Sequence, residues 1–217
     1  MHRTRVKICC IASIEEAEMA IAAGADALGL VAQMPSGPGP IDDETIRDIA
    51  AFVPPPVATF LLTSRTTADG VIDHVRFCGT SAVQIVSHLN PDQYPQIIAA
   101  LPTTRRVQVI HVEDHNAVEL IHAYEPFVHA FLLDSGRPGA EITELGGTGR
   151  THDWNISRAC VAATAKPVFL AGGLRSDNVK AAINSVKPFG LDLCSGVRTN
   201  QQLDGAKLAE FMAAVAP

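Results

Sequence analysis

Short apolar runs alternate along this chain with amphipathic stretches, and glycine or proline punctuates most of the changes. Residues 5–10 put Val6 and Ile8 on one face and Lys7 and Cys9 on the other, a period of two that predicts a strand. Ser13, followed three residues later by Glu16, predicts a capping box opening a helix that runs to Gly24. The same reading predicts strands at 26–32, 57–62, 82–86, 106–112 and 128–133, the last ending in Asp134. Helices are expected at 42–53, 67–77, 90–101, 114–124 and 154–163. Pro54-Pro55-Pro56 closes the first of these, and Pro91 takes the first position of the third. Residues 35–40 and 135–153 read as loops, the second long and rich in glycine and polar residues.

The end of the chain repeats one pattern. Residues 167–171 are an apolar run that stops at Gly172-Gly173, and residues 190–194 are another that stops at Ser195-Gly196. Between them 176–183 reads as a capped amphipathic helix, and 204–215 as the closing helix. Strand, glycine turn, helix, strand, glycine turn puts the two turns side by side at the ends of neighbouring parallel strands. One glycine pair alone is only a tight turn. Two at this spacing predict a phosphate site, because glycine lets backbone N–H groups approach an anion and a helix N-terminus adds partial positive charge. The whole pattern is eight strands and eight helices in strict alternation, ~27 residues per unit, which predicts a single α/β domain over residues 1–217, an eightfold (β/α) TIM barrel. An open doubly wound sheet is the alternative; it would want a glycine-rich turn after the first strand, and none is there.

Composition narrows the partners. With 47% hydrophobic and 18% charged residues the chain can bury a full core. A net charge of −6 offers no basic surface for nucleic acid or acidic lipid, so a phosphate must be held locally. Five scattered cysteines without a CxxC pair fit a reducing cytosol rather than a disulfide framework. Neither a signal segment nor a membrane-length apolar run is present, so a cytoplasmic location is expected.

In a barrel the reactive groups project from the carboxyl ends of strands. Here those ends carry Cys9-Cys10, His111, Asp134, and Asp192 with Cys194. A thiol and a carboxyl group at one mouth form an acid/base pair able to move a proton within a sugar phosphate. Cys78 and Cys160, on or near helices, read as small buried hydrophobes. A metal site from Cys9, His111 and Cys194 would lack any ligand spacing, and none is expected. Lys7, two residues before Cys9, shares its inward face; it is placed either to lower the thiol's pKa or to pair with Asp192 on the neighbouring eighth strand.

Several segments, in order, resemble the phosphoribosylanthranilate isomerase family: 6–9 (VKIC), 24–30 (GADALGL), 132–135 (LLDS), Gly146-Gly147-Thr148-Gly149 with His152-Asp153-Trp154, 171–174 (AGGL) with Asp177-Asn178-Val179, and Asp192 with Ser195-Gly196-Val197. The resemblance implies an Amadori rearrangement in tryptophan biosynthesis that needs no cofactor, with a phosphorylated sugar as substrate and a monomer or homodimer as the assembly. It implies Asp134 as the general acid that opens the ribose ring and Cys9 as the general base that takes the C2 proton. Lys7, Gly147, Gly149, Arg150, Gly172, Gly173, Asp192, Ser195 and Gly196 are the expected binding set. Four departures stand against this pattern. The loop after the second strand, 34–40, has no arginine to receive the anthranilate carboxylate, and Arg65 or Arg150 is the candidate replacement. The family's Gln-Leu-His-Gly becomes Gln84-Ile85-Val86-Ser87, the glycine after the base becomes Cys10, and the glutamate after the last glycine turn becomes Arg198. Two alternatives therefore stay open here: a paralogue isomerising another phosphosugar, and a non-catalytic barrel that only binds a phosphorylated ligand.

Overall fold

The computed structural model describes residues 3–136 and 152–216. Eight parallel strands close into a barrel in chain order: β1 (Arg5–Ile8), β2 (Ala27–Val31), β3 (Ala58–Thr63), β4 (Ala82–Ile85), β5 (Arg105–His111), β6 (Ala130–Asp134), β7 (Val168–Leu170) and β8 (Gly190–Leu193). Helices α1 (Ile14–Ala22), α2 (Asp43–Phe52), α3 (Ala68–Cys78), α4 (Tyr94–Ala100), α5 (Asn116–Tyr124), α6 (Trp154–Ala162), α7 (Val179–Val186) and α8 (Gly205–Val215) follow the strands one by one. The open-sheet alternative is thereby replaced by closure, with β8 pairing back onto β1.

The period of two along each strand sorts the core into two layers. Val31, Phe60, Leu62, Val107, Val109, Leu132 and Phe169 fill the barrel interior. Val6, Ile8, Leu28, Leu61, Val83, Phe131 and Leu191 belong to the larger cluster that joins the sheet to the helices, with Cys78 and Cys160 fully buried among them. Side-chain caps fix most helix starts: Ser13, Asp42, Thr67, Asp153 and Asp204 each accept a backbone N–H of the first turn.

Three local expectations change. The strands stop before the cysteines, so Cys9, Cys10 and Cys194 lie in the turns that leave β1 and β8. Helix α7 starts at Val179 rather than at a Ser176 cap. Ser176 donates instead to Glu210, and Asn178 braces the preceding turn, accepting from the Arg175 N–H and donating to the Gly173 carbonyl, both at 2.9 Å. After β8 a short 3-10 turn (Ser195–Val197) leads into a small hairpin, β9 (Arg198–Thr199) and β10 (Gln202–Leu203), that the pattern does not predict. No helix among the described residues is long and apolar enough to cross a membrane.

Candidate active site

Closure brings the carboxyl ends of the strands to one mouth. The pocket there takes in about 710 Å³ of space, part of it open solvent. Cys9 and Asp134 both line it, although β7 and β8 separate their strands around the barrel. Gly172, Gly173, Asp192 and Ser195 line the same space.

Cys9 follows β1 directly, and its N–H donates to the Leu193 carbonyl at 2.8 Å, which ties the thiol to the neighbouring strand end. Room for it comes from Gly29 on β2. A β-carbon at that position would lie 2.7 Å from the Cys9 Sγ and 2.8 Å from the Lys7 Nζ. Both groups therefore pack against a surface that only glycine leaves open. Lys7 itself is fully buried and does not reach the pocket; its ammonium donates to Asp192 Oδ1 at 2.8 Å, across the β1–β8 register that pairs the two residues. Burial works to lower the lysine's pKa, but the neighbouring Asp192, by its charge and its hydrogen bond, raises it above its ordinary value. The ion pair is thus what Lys7 makes, with the ammonium under the thiol as a fixed positive charge; the ring of Phe60 lies 5.5 Å from it.

Asp134 ends β6 opposite His111 of β5 and accepts the Ser135 N–H at 2.7 Å. His111 is taken up by the Val86 carbonyl at 3.1 Å, and burial pushes its pKa down despite that contact. It does not line the pocket with the thiols. Among the described residues the one group with metal-ligand geometry is Asp43, His74 and Cys78, on α2 and α3 outside the barrel, where His74 already bonds Asp43 and Thr63.

The two glycine turns meet as the spacing predicts. Gly172 and Gly173 have φ of 83° and 62°, the left-handed region that favours glycine. A β-carbon on Gly196 would sit 2.1 Å from the Leu174 carbonyl oxygen, so the turn after β8 packs directly on the turn after β7. No backbone partner is found for the N–H groups of Gly172 and Gly173 among the described residues. Gly147, Gly149 and Arg150 lie outside the described residues. Arg65 is exposed and does not line the pocket.

Sequence reasoning missed two kinds of residue here. Gln84 lines the pocket with a buried Oε1 that has no partner in the described structure; a buried polar strand residue in a barrel interior was the available signal. Arg198 clamps the turn after β1: its two terminal nitrogens pair with the two oxygens of Glu16 at 3.0 and 2.9 Å, and one also donates to the Cys10 carbonyl. That clamp joins residues 182 positions apart and leaves no mark in local pattern.

The family model described as N-(5'-phosphoribosyl)anthranilate isomerase matches residues 6–214. A relative of that name from Methanocella arvoryzae is 35% identical over 210 residues, 96% of each chain. The crystal structure of phosphoribosyl anthranilate isomerase from Thermotoga maritima superposes with a TM-score of 0.83 at 27% identity, covering 98% of both chains. A phosphoribosyl anthranilate isomerase solved with reduced 1-(o-carboxyphenylamino)-1-deoxyribulose 5-phosphate matches with a TM-score of 0.80 at 25% identity and the same coverage. With the barrel, its acid and thiol on one pocket, and these likenesses over nearly the whole length, the chain belongs to the N-(5'-phosphoribosyl)anthranilate isomerase family.

Proposed function

We propose that this barrel converts N-(5'-phosphoribosyl)anthranilate to the aminodeoxyribulose phosphate, the step of tryptophan biosynthesis for which its family is named, using Asp134 as acid and Cys9 as base. The observation that carries the reading is one pocket shared by a thiol, a carboxyl group and two packed glycine turns. Asp134 protonates the ring oxygen, the C1–O bond opens, and a Schiff base forms between C1 and the anthranilate nitrogen. Cys9 as thiolate removes the C2 proton, giving the enolamine, which tautomerises to the C2 ketone as C1 takes up a proton. The buried Lys7 ammonium supports the thiolate electrostatically. The phosphate is held by the amides of Gly172, Gly173 and the Ser195-Gly196 turn, with Gln84 Oε1 free to accept a sugar hydroxyl.

Cys9→Ser and Asp134→Asn are each expected to reduce turnover by ~10²–10⁴-fold with an unchanged circular dichroism spectrum. Near-normal turnover in either would remove the assigned role. One observation favours a second reading at the aromatic end. No lysine, arginine or histidine is among the described residues that line the pocket. A chain diverged to another phosphosugar would turn over phosphoribosylanthranilate poorly from the start and fail to rescue a tryptophan auxotroph lacking the isomerase.

A further inference from the structure

Two further thiols stand beside Cys9. Cys10 and Cys194 leave β1 and β8 side by side, and their sulfurs are hydrogen-bonded at 2.7 Å. That separation is within about 1 Å of the ~2.05 Å of a disulfide. We propose that Cys10 and Cys194 are a peroxide-reactive dithiol, Cys194 the sulfur that is oxidised and Cys10 the one that resolves it into a disulfide.

The roles follow from the surroundings. The contact with the Cys10 sulfur favours the Cys194 thiolate, burial opposes it, and the Arg198 guanidinium adds to the gain, so the Cys194 pKa falls. The same contact, with a further one to Cys9, raises that of Cys10, which keeps its proton. The thiolate is the nucleophile toward peroxide. Access is built in. Cys10 and Cys194 line the catalytic pocket and also an adjoining space of about 630 Å³ with Gly39, Ser195, Arg198 and Gln201. Gly39 packs directly on Cys10, where a β-carbon would lie 2.6 Å from the Cys10 Cβ, so only glycine fits beside this thiol. A small oxidant therefore has a second side from which to approach the pair, next to Ser195 of the phosphate turn.

The chemistry balances with hydrogen peroxide as oxidant. The Cys194 thiolate attacks one peroxide oxygen, the S–O bond forms as the O–O bond breaks, and hydroxide leaves. The Cys10 thiol then attacks the sulfur of that sulfenic acid; the S–S bond forms, the S–O bond breaks, and the hydroxyl departs with the Cys10 proton as water. Two electrons pass from the two thiols to one peroxide. The bridge ties the residue after Cys9 to the residue before Ser195. It thereby links the base to the phosphate turn and shuts the reaction down. This consequence for turnover rests on the isomerase reading; the bridge itself does not.

The test uses the full chain, reduced, desalted and titrated with hydrogen peroxide. Intact mass should fall by about 2 Da, the two thiol hydrogens, and non-reducing peptide maps should link Cys10 to Cys194. Cys9→Ser should form the same bridge. Cys10→Ser should stop at a trappable sulfenic acid on Cys194, and Cys194→Ser should form no bridge. Oxidation confined to Cys9, a bridge that persists in Cys194→Ser, or no bridge at all overturns the proposal. Isomerase turnover of the bridged protein should drop at least ~10-fold and return with dithiothreitol, as expected of a reversible disulfide; full turnover of the bridged form overturns the regulatory part. An inactive reduced protein that still forms the bridge would count against the isomerase reading alone.

Discussion

Gly29 shows how one missing side chain can set the chemistry of two others. It makes no bond to either group, yet the Cys9 sulfur and the Lys7 ammonium both occupy the space its β-carbon would fill. Gly29→Ala leaves the strand hydrogen bonds of β2 intact and pushes the thiol and its buried cation aside. A displacement of about 1 Å at a reacting group costs ~10²-fold in rate. Gly29→Ala is therefore expected to lower kcat by roughly ten- to a hundredfold with a smaller change in KM. An unchanged kcat in a folded variant would mean that the thiol's position does not matter to the reaction. At this scale the sequence was partly legible. Cys9 and Asp134 stood out because a thiol and an acid at strand ends are uncommon chemistry in a simple position. Gly29 did not, because what it accommodates comes from the neighbouring strand, and only register brings the three together. Gln84 differs: a polar residue on an otherwise apolar strand is visible in the sequence, but not that its Oε1 ends up buried in the pocket without a partner among the described residues.

At the scale of elements, α1 and the hairpin after β8 are held together by one carboxylate. Glu16 accepts from both terminal nitrogens of Arg198, from the Leu203 N–H at 2.8 Å and from the Ala12 N–H at 3.0 Å. The capping box predicted from Ser13 and Glu16 is thus half formed: Ser13 caps the Glu16 N–H, while the glutamate turns to Ala12 and across to β9. Local pattern predicts the cap and cannot see the partner. The hairpin was equally invisible, since its turn uses positive φ at Asn200 and Gln201 without a glycine to announce it. Burial tends to raise the Glu16 pKa, but the bonds from Arg198, Leu203 and Ala12 outweigh it and hold the group below its ordinary value of 4.5. A carboxyl depressed in the fold stabilises it above the unfolded pKa and loses that contribution as pH falls through the folded one. Urea unfolding should therefore weaken more steeply from pH 5 to pH 3.5 in the native chain than in Glu16→Gln, which starts less stable and changes less over about that range. Parallel pH profiles would show that Glu16 is not bound in the fold as described.

For the whole molecule, closure does what no segment can. It sets residues 185 positions apart, Lys7 and Asp192, in one buried pair, and it turns two separate glycine turns into one surface. Strand count and alternation made that closure legible, because eight β/α units of this length have one common closed arrangement. The electrostatic consequence is less obvious. The chain carries a net charge of −6, and the described lining of its pocket has no cationic side chain, while the substrate proposed for it bears a phosphate and a carboxylate. Along this described lining, capture depends on short-range bonds from amides and not on attraction through solvent. Short-range bonds are little affected by ions, whereas a long-range field is screened over ~10 Å at 0.1 M salt. A net negative protein repels such a polyanion at a distance, and salt relieves that repulsion. kcat/KM is therefore expected to stay level or rise as ionic strength goes from about 20 to about 200 mM, where a cationic funnel would lose it steeply. A tenfold fall over that range would show that charged side chains beyond the described lining, rather than the glycine turns, draw the substrate in.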